Sequence, residues 1–277
     1  MAFASEKMNT LYRMFEDSSH AENYSMYRLG YPEELKQSIL TFMADNGCNQ
    51  SDTRLLLDIG CGTGISTRLF SDSCTSCWGV DISYEQLKQA ISRKGRNVFY
   101  LMSLAESTCF KDNTFDLITV GQAWHWFDAD RFNEEVKRIL APHGCIAVYG
   151  YSFPTILNHD KAQEILYKFY TVTLAPYWSE RRELVRSHYS SLVLPFKTKF
   201  RNDNLSINVK VTLNGLLNYI DTTSAAHLMN KINPGNTITK DFKQELAVAI
   251  GGSDVSKDFN PLLDIRASVF MEIAKKD

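Results

Sequence analysis

The chain has 277 residues with 30 Lys+Arg against 32 Asp+Glu, and a formal net charge of −2, so no overall positive field argues for nucleic acid. Hydrophobic residues make up 44% of it, enough for a sizeable core in one large α/β domain or in a core with a cap. No apolar run approaches membrane-spanning length and Met1 to Asn9 lack a signal-peptide core, so a cytoplasmic protein without membrane contact is expected.

Residues 1–50 read as helical. Met8, Leu11, Tyr12, Met14 and Phe15 recur at spacings of three and four, one face of a helix. Tyr24, Tyr27, Arg28 and Tyr31 follow, and Pro32 is expected at the first position of a second helix. Glu33 and Glu34 suit its N-terminal turn electrostatically, and Leu35, Ile39, Leu40 and Phe42 carry its apolar stripe. Three tyrosines and an arginine so close together admit two readings. One is a patch packed on the core; the other is a lid, with Arg28 meeting a carboxylate bidentately.

Leu55 to Gly64 (Leu-Leu-Leu-Asp-Ile-Gly-Cys-Gly-Thr-Gly) is the stretch around which the rest is organised. A short apolar run stopped by glycines reads as a buried parallel strand, and Ile65–Phe70 then start a helix. This is the opening of a doubly wound α/β unit, whose ligand sits at the carboxyl end of the first strand. Gly60, Gly62 and Gly64 are spaced two apart, unlike the Gly-x-Gly-x-x-Gly of a dinucleotide fold, and Ile65 stands where a P-loop needs lysine. Asp58 would repel a phosphate and favour a cation, such as the α-amino group of a methionine moiety.

Trp78 to Ser83 form the second strand, and Asp81 at its tip suits the two hydroxyls of a ribose, with Ile82 beside it. Ser83 is the natural cap of the helix Tyr84–Arg93. Cys74 and Cys77 make a lone C-x-x-C with no second pair and no histidine at zinc-finger spacing, so free thiols and no metal site are expected. Val98–Leu101 are a third strand, followed by Ser103, Ala105 and Glu106. Phe115–Val120 are the fourth, followed by Gly121-Gln122-Ala123-Trp124-His125-Trp126-Phe127-Asp128. A helix over Asp130–Leu140 is broken by Pro142-His143-Gly144 before a fifth strand, Cys145–Tyr149. Beyond Tyr151 the pattern reads as a helix over Ile156–Val172, three arginines (Arg181, Arg182, Arg186), and a strand or hairpin through Phe200–Val211. Helices over Leu213–Met229 and Asp241–Ile250 then precede a closing strand, Ser268–Ala274.

Asp58-Ile-Gly-Cys-Gly-Thr-Gly64 resembles motif I of class I methyltransferases that use S-adenosylmethionine. The segment His20 to Pro32 and the His125-Trp126-Phe127-Asp128 block resemble signatures of the trans-aconitate-methyltransferase-like small-molecule branch. Leu29 and Gly30 stand where that branch usually has proline after the arginine. The resemblance implies a doubly wound, seven-stranded Rossmann-like sheet of order 3-2-1-4-5-7-6, the seventh strand antiparallel. It also implies an N-terminal helical lid (1–50), a cofactor core (51–151), a mostly helical cap inserted after the fifth strand (152–230), and a C-terminal helix with the closing strand (231–277).

S-adenosylmethionine is then expected on Tyr24, Arg28, Asp58, Gly60, Cys61, Gly62, Thr63, Gly64, Asp81, Ile82, Ser103, Ala105, Glu106, Gly121 and Gln122. His125 and Trp126 are the expected catalytic pair, and Tyr27, Tyr31, Trp124 and Trp126 the expected acceptor contacts. A monomer or homodimer acting on a small molecule is implied. O-methylation of a carboxylate leads. A phenol, amine or thiol acceptor with His125 as general base is the alternative, and binding without turnover or a nicotinamide oxidoreductase represents other classes.

Overall fold

A computed structural model describes residues 17–48, 54–235, 237–252 and 259–277. The stripe expected at Met8–Phe15 lies outside the described residues. Among them, α1 (Ser18–Tyr27) and α2 (Glu33–Asp45) precede the sheet. Asp17 caps α1, its side chain accepting from the His20 amide at 2.8 Å. Pro32 stands at the N-cap of α2, one position earlier than expected, with extended backbone that its ring favours.

The sheet is built outward from β1 (Leu55–Ile59). β2 (Ser76–Asp81) and β4 (Phe115–Gly121) flank it in parallel, β3 (Val98–Met102) pairs with β2, and β5 (Leu140–Tyr151) pairs with β4. β8 (Leu262–Lys275) runs antiparallel to β5, and its opposite edge takes β7 (Thr198–Thr212). The long strands therefore lie in the order β3-β2-β1-β4-β5-β8-β7, which is the expected class I order with the last strand of the chain inserted antiparallel. Not foreseen is β6 (Thr155–Ile156), a two-residue strand that continues the β5 edge of β8. The stretch read as a strand or hairpin is one strand of 15 residues, with a register irregularity between Asn202 and Leu205.

Alternation along the strands fills both faces. In β5, Cys145, Ala147, Tyr149 and Tyr151 pack on one side and Ile146 and Val148 on the other. The helices α3 (Ile65–Leu69), α4 (Tyr84–Ser92) and α5 (Ala129–Ile139) follow the strand tips. α5 starts at the cap Asp128, whose carboxylate accepts from the Arg131 amide, and buries Phe132, Val136 and Ile139 at helical spacing. The Pro142-His143-Gly144 turn lies within β5 as an irregularity opposite Phe115–Leu117, with His143 at φ 60°.

The segment after β5 departs most from expectation. α6 (Asp160–Lys168) ends in a π-turn over Phe169–Thr173, and a short α7 (Arg182–Arg186) follows. The single helix expected over Leu213–Met229 is two, α8 (Leu213–Asp221) and α9 (Ser224–Ile232). The break has a local cause. The Thr222 and Thr223 hydroxyls turn back onto the carbonyls of Tyr219 and Ile220, at 2.6 and 2.7 Å. α10 (Ile238–Ala249) leads to β8. No described helix is long and apolar enough to cross a membrane.

Candidate active site

Two cavities open beside the carboxyl ends of β1, β2 and β4. The first, about 730 Å³, is walled by the glycine turn after β1, Asp81 and Ile82 at the tip of β2, Ser103–Glu106 after β3, and Gly121–Ala123 after β4. The second, about 640 Å³, is walled by His125, Trp126, Tyr151–Thr155, and side chains from α6 through α9. They share five residues: Tyr24, Arg28, Gln122, Trp126 and Tyr151.

The glycine turn is tied to β2, the amides of Gly60 and Cys61 both reaching the Val80 carbonyl at 2.8 and 3.0 Å. Its glycines do different things. At Gly60 (φ 70°) a Cβ would sit 2.6 Å from the Ala123 Cβ, so this glycine lets the β1 and β4 loops close on each other. At Gly62 (φ 54°) a Cβ would meet only the Gln86 Oε1, at 3.5 Å, so the backbone is bare toward the first cavity. The Gly62 amide donates to Asp81 Oδ2 at 2.8 Å, and the Ser83 amide to Asp81 Oδ1 at 2.8 Å. These two bonds fix a carboxylate at the cavity wall, and burial pushes its pKa up.

Asp58 does something other than expected. It is fully buried and absent from both walls. Its carboxylate accepts from Thr67 Oγ1 at 2.6 Å and from Thr119 Oγ1 at 3.0 Å, and Thr119 is its register partner on β4. Desolvation lifts its pKa to about 6 against these bonds. It braces the turn from behind rather than meeting a ligand. Gly64 likewise lies under the wall, because a side chain there would overlap the Tyr100 ring.

Of the other expected cofactor residues, Tyr24, Arg28, Cys61, Thr63, Ile82, Ser103, Ala105, Glu106, Gly121 and Gln122 all line the first cavity. Ser103 Oγ donates to the Leu104 carbonyl at 3.1 Å. Glu106 Oε1 accepts the Asp128 amide at 2.9 Å, which joins the β3 loop to the start of α5. Gln122 adopts a left-handed backbone, φ 56°, and its Nε2 donates to the Tyr151 carbonyl at 2.8 Å. A non-glycine residue held there costs about 1–3 kcal/mol, and such strain concentrates at functional positions.

The expected acceptor contacts divide. Trp126 lies in the wall between the cavities, while Tyr31 faces the first cavity rather than the second. Trp124 is 1% exposed and Tyr27 packs against the core, so neither reaches a cavity. The three-residue turn Trp124–Trp126 explains the split, since it sends alternate indoles inward and outward. His125 lines the second cavity and is 8% exposed, and its Nδ1 is 3.0 Å from the Tyr189 hydroxyl. Burial first, and the nearby Arg181 second, lower its pKa to about 3, so it is neutral at physiological pH.

Arg28 is half-buried. Its guanidinium lies 4.3 Å from the Tyr24 ring centre and donates to the Thr222 carbonyl at 2.8 Å, at the break between α8 and α9. Arg182 is held between Tyr170 and Trp178, at 4.3 and 4.1 Å. The Nε atoms of Arg28 and Arg182 are both enclosed without a hydrogen-bond partner in the protein. Arg181 is otherwise engaged, donating to the His125 and Phe127 carbonyls, and Arg186 pairs with Glu183. Most of the second wall was not singled out from the sequence. Tyr151, Phe153, Tyr170 and Trp178 come from separate elements that carry no common spacing.

A family model described as a methyltransferase domain matches residues 57–148, the segment that carries the glycine turn, Asp81 and the His125–Asp128 block. A Dictyostelium discoideum protein bearing a methyltransferase name is 29% identical over 267 residues, 95% of this chain and 96% of that protein. The chain carries a methyltransferase domain on a class I fold and is an S-adenosylmethionine-dependent methyltransferase. The Saccharomyces cerevisiae protein CRG1, named as an S-adenosylmethionine-dependent methyltransferase, is 26% identical over 169 residues, 59% of this chain and 55% of that protein. A solved Anaeromyxobacter dehalogenans structure described as a methyltransferase shares the fold, with a TM-score of 0.72 at 24% identity over 90% of this chain and 98% of that one. S-adenosylmethionine is therefore the methyl donor of this enzyme, and the first cavity fits it. The methyltransferase has there an anchored carboxylate, Asp81, able to accept from the two hydroxyls of a ribose, and a bare backbone at Gly62 that leaves room for a nucleoside to approach.

Proposed function

We propose that the methyltransferase acts on a small organic anion and transfers the methyl group to a carboxylate oxygen. One observation carries the reading: Arg28, Arg182 and Arg186 line the second cavity, and no Asp or Glu lines it among the described residues. A guanidinium at the wall of such a cavity donates to a carboxylate oxygen by a charge-assisted hydrogen bond, stronger than one to a neutral acceptor, and Arg28 and Arg182 are placed to do so.

S-adenosylmethionine, when bound, supplies a methyl group on a positive sulfur for in-line displacement. The protein's part is alignment and exclusion of water, and orientation alone contributes roughly 7–11 kcal/mol to such a step. Asp81 and the glycine turn are assigned to the nucleoside, and Tyr24 and Trp126 offer aromatic faces where the two cavities meet. Arg28 and Arg182 would hold the acceptor's charge, and His125 with the Trp126 indole would orient its oxygens. A carboxylate is ionised at neutral pH and needs no base. That suits a cavity whose imidazole at His125 has its proton affinity lowered to a pKa of about 3. The same value weakens the alternative, in which His125 takes a proton from a phenol or thiol.

The test is transfer of labelled methyl from S-adenosylmethionine to a panel of small acids, phenols, amines and thiols. The product should form from acids, and mild alkali should release its label as methanol, as an ester requires. Label that survives alkali, on phenols, amines or thiols only, rejects the carboxylate assignment and leaves the enzyme class intact.

A further inference from the structure

Tyr189 lines neither cavity and no expectation from the sequence touched it, yet the backbone is distorted to place it. His188 and Tyr189 are consecutive non-glycine residues with left-handed backbone, φ 53° and 59°, just after α7. Such pairs persist only where surrounding contacts over-determine them. Here the Tyr189 ring is 2% exposed and gripped edge-on by Trp124, at 5.6 Å and 73°, and by Phe270, at 5.3 Å and 84°. This grip delivers the hydroxyl to within 3.0 Å of His125 Nδ1.

We propose that Tyr189 is a positioning residue whose hydroxyl donates to His125 Nδ1 and thereby fixes the imidazole as the Nε2–H tautomer, a hydrogen-bond donor toward the acceptor cavity. Hydrogen-bond accounting supports the direction. Among the described residues His125 Nδ1 is the one hydrogen-bond partner of the phenolic hydroxyl. With the phenolic hydrogen donated to Nδ1, both groups are satisfied. In the opposite tautomer Nδ1–H would point at the phenolic oxygen, and the phenolic hydrogen would be left over in a buried site. A neutral ring with one nitrogen capped in this way presents its remaining N–H, which is what an anionic oxygen accepts. The inference rests on the proposed role of His125 as an orienting donor, but its test needs no acceptor.

Histidine long-range 1H–15N spectra of the labelled enzyme with S-adenosylhomocysteine bound read the tautomer directly. The chain has only six histidines, and His125→Asn assigns the resonance in question. The wild type should show Nε2 protonated and Nδ1 bare but hydrogen-bonded. In Tyr189→Phe, which should still bind S-adenosylhomocysteine, the single-tautomer pattern should be lost to a mixture. An Nδ1–H tautomer in the wild type overturns the proposal, as does an unchanged pattern in Tyr189→Phe. Incorporation of 3-fluorotyrosine is the second measurement should that variant not fold. A stronger phenolic donor must move the Nδ1 resonance further from its free position, and no movement also overturns the proposal. A purely structural role for Tyr189 would leave the tautomer alone. Failure of the carboxylate reading would show in the product chemistry instead.

Discussion

Replacing Gly60 and Gly62 separately by alanine should have opposite balances of effect, though the two stand two residues apart with similar backbones. Both have positive φ, 70° and 54°, so each alanine carries about 1–2 kcal/mol of left-handed strain. At Gly60 the new methyl also lands 2.6 Å from the Ala123 Cβ and 3.1 Å from Phe127, and overpacking of this kind adds roughly 1–3 kcal/mol. Gly60→Ala should therefore lose about 2–5 kcal/mol of stability by the same two effects. Gly62→Ala meets only a side-chain oxygen at 3.5 Å and should lose no more than the strain. Its methyl, however, would project where a nucleoside is expected to approach the backbone, and the Gly62 amide is one of the two that hold Asp81. Urea unfolding gives the stabilities and calorimetric titration with S-adenosylhomocysteine gives the affinities. Gly62→Ala should weaken binding by at least about tenfold, equivalent to about 1.4 kcal/mol, while remaining the more stable variant. Equal destabilisation of the two, or full affinity in Gly62→Ala, would refute the division of labour along the turn.

Three further outcomes follow from the same geometry. Asp81→Ala removes an anchored acceptor able to take two ribose hydroxyls, and should raise the dissociation constant for S-adenosylhomocysteine by at least about 100-fold; retained affinity rejects its assignment. Arg182→Leu should raise the KM for the acid that the substrate panel identifies by about 10–100-fold and leave S-adenosylhomocysteine affinity unchanged, because Arg182 lines only the second cavity. The enzyme should lose stability on acidification. His125 and His20 have folded pKa values lowered to about 3 and about 4, so below pH 6.5 the unfolded chain binds protons that the native state refuses. Between pH 7 and pH 5 each histidine removes about 2 kcal/mol. Asp58, raised to about 6, contributes stability below 3.8 that is lost as pH rises through 6, so it offsets about 1 kcal/mol at pH 5. A net loss of about 2–3 kcal/mol in urea unfolding is expected, and equal stability at the two pH values would contradict it.

What could be read from the sequence was whatever is local. The first strand, the glycine turn, the acid at the second strand tip and the block after the fourth strand each lie within ten consecutive residues, and the fold brings them to one edge of the sheet. What escaped depended on parity and on distance along the chain. Asp58 is one residue out of phase with Leu57 and Ile59, and lies beside Thr119 inside the sheet. Trp124 and Trp126 look equivalent in sequence, but the intervening turn buries the first and exposes the second to both cavities. The wall of the second cavity combines residues from β5, α6, α7, α8 and α9, and nothing in their spacing announces a common site. The helix break at Thr222–Thr223 was hidden by an apolar pattern that continues through it. Yet that break frees the carbonyl that Arg28 and His20 both contact, at 2.8 and 3.2 Å.

The most direct measurement is a crystal structure of the enzyme with S-adenosylhomocysteine. The ribose should lie on Asp81, and the sulfur should stand at the wall formed by Tyr24, Arg28, Gln122, Trp126 and Tyr151, facing the cavity that holds Arg182. A sulfur directed away from that wall, or a ligand seated elsewhere than between Gly62 and Asp81, would contradict the account.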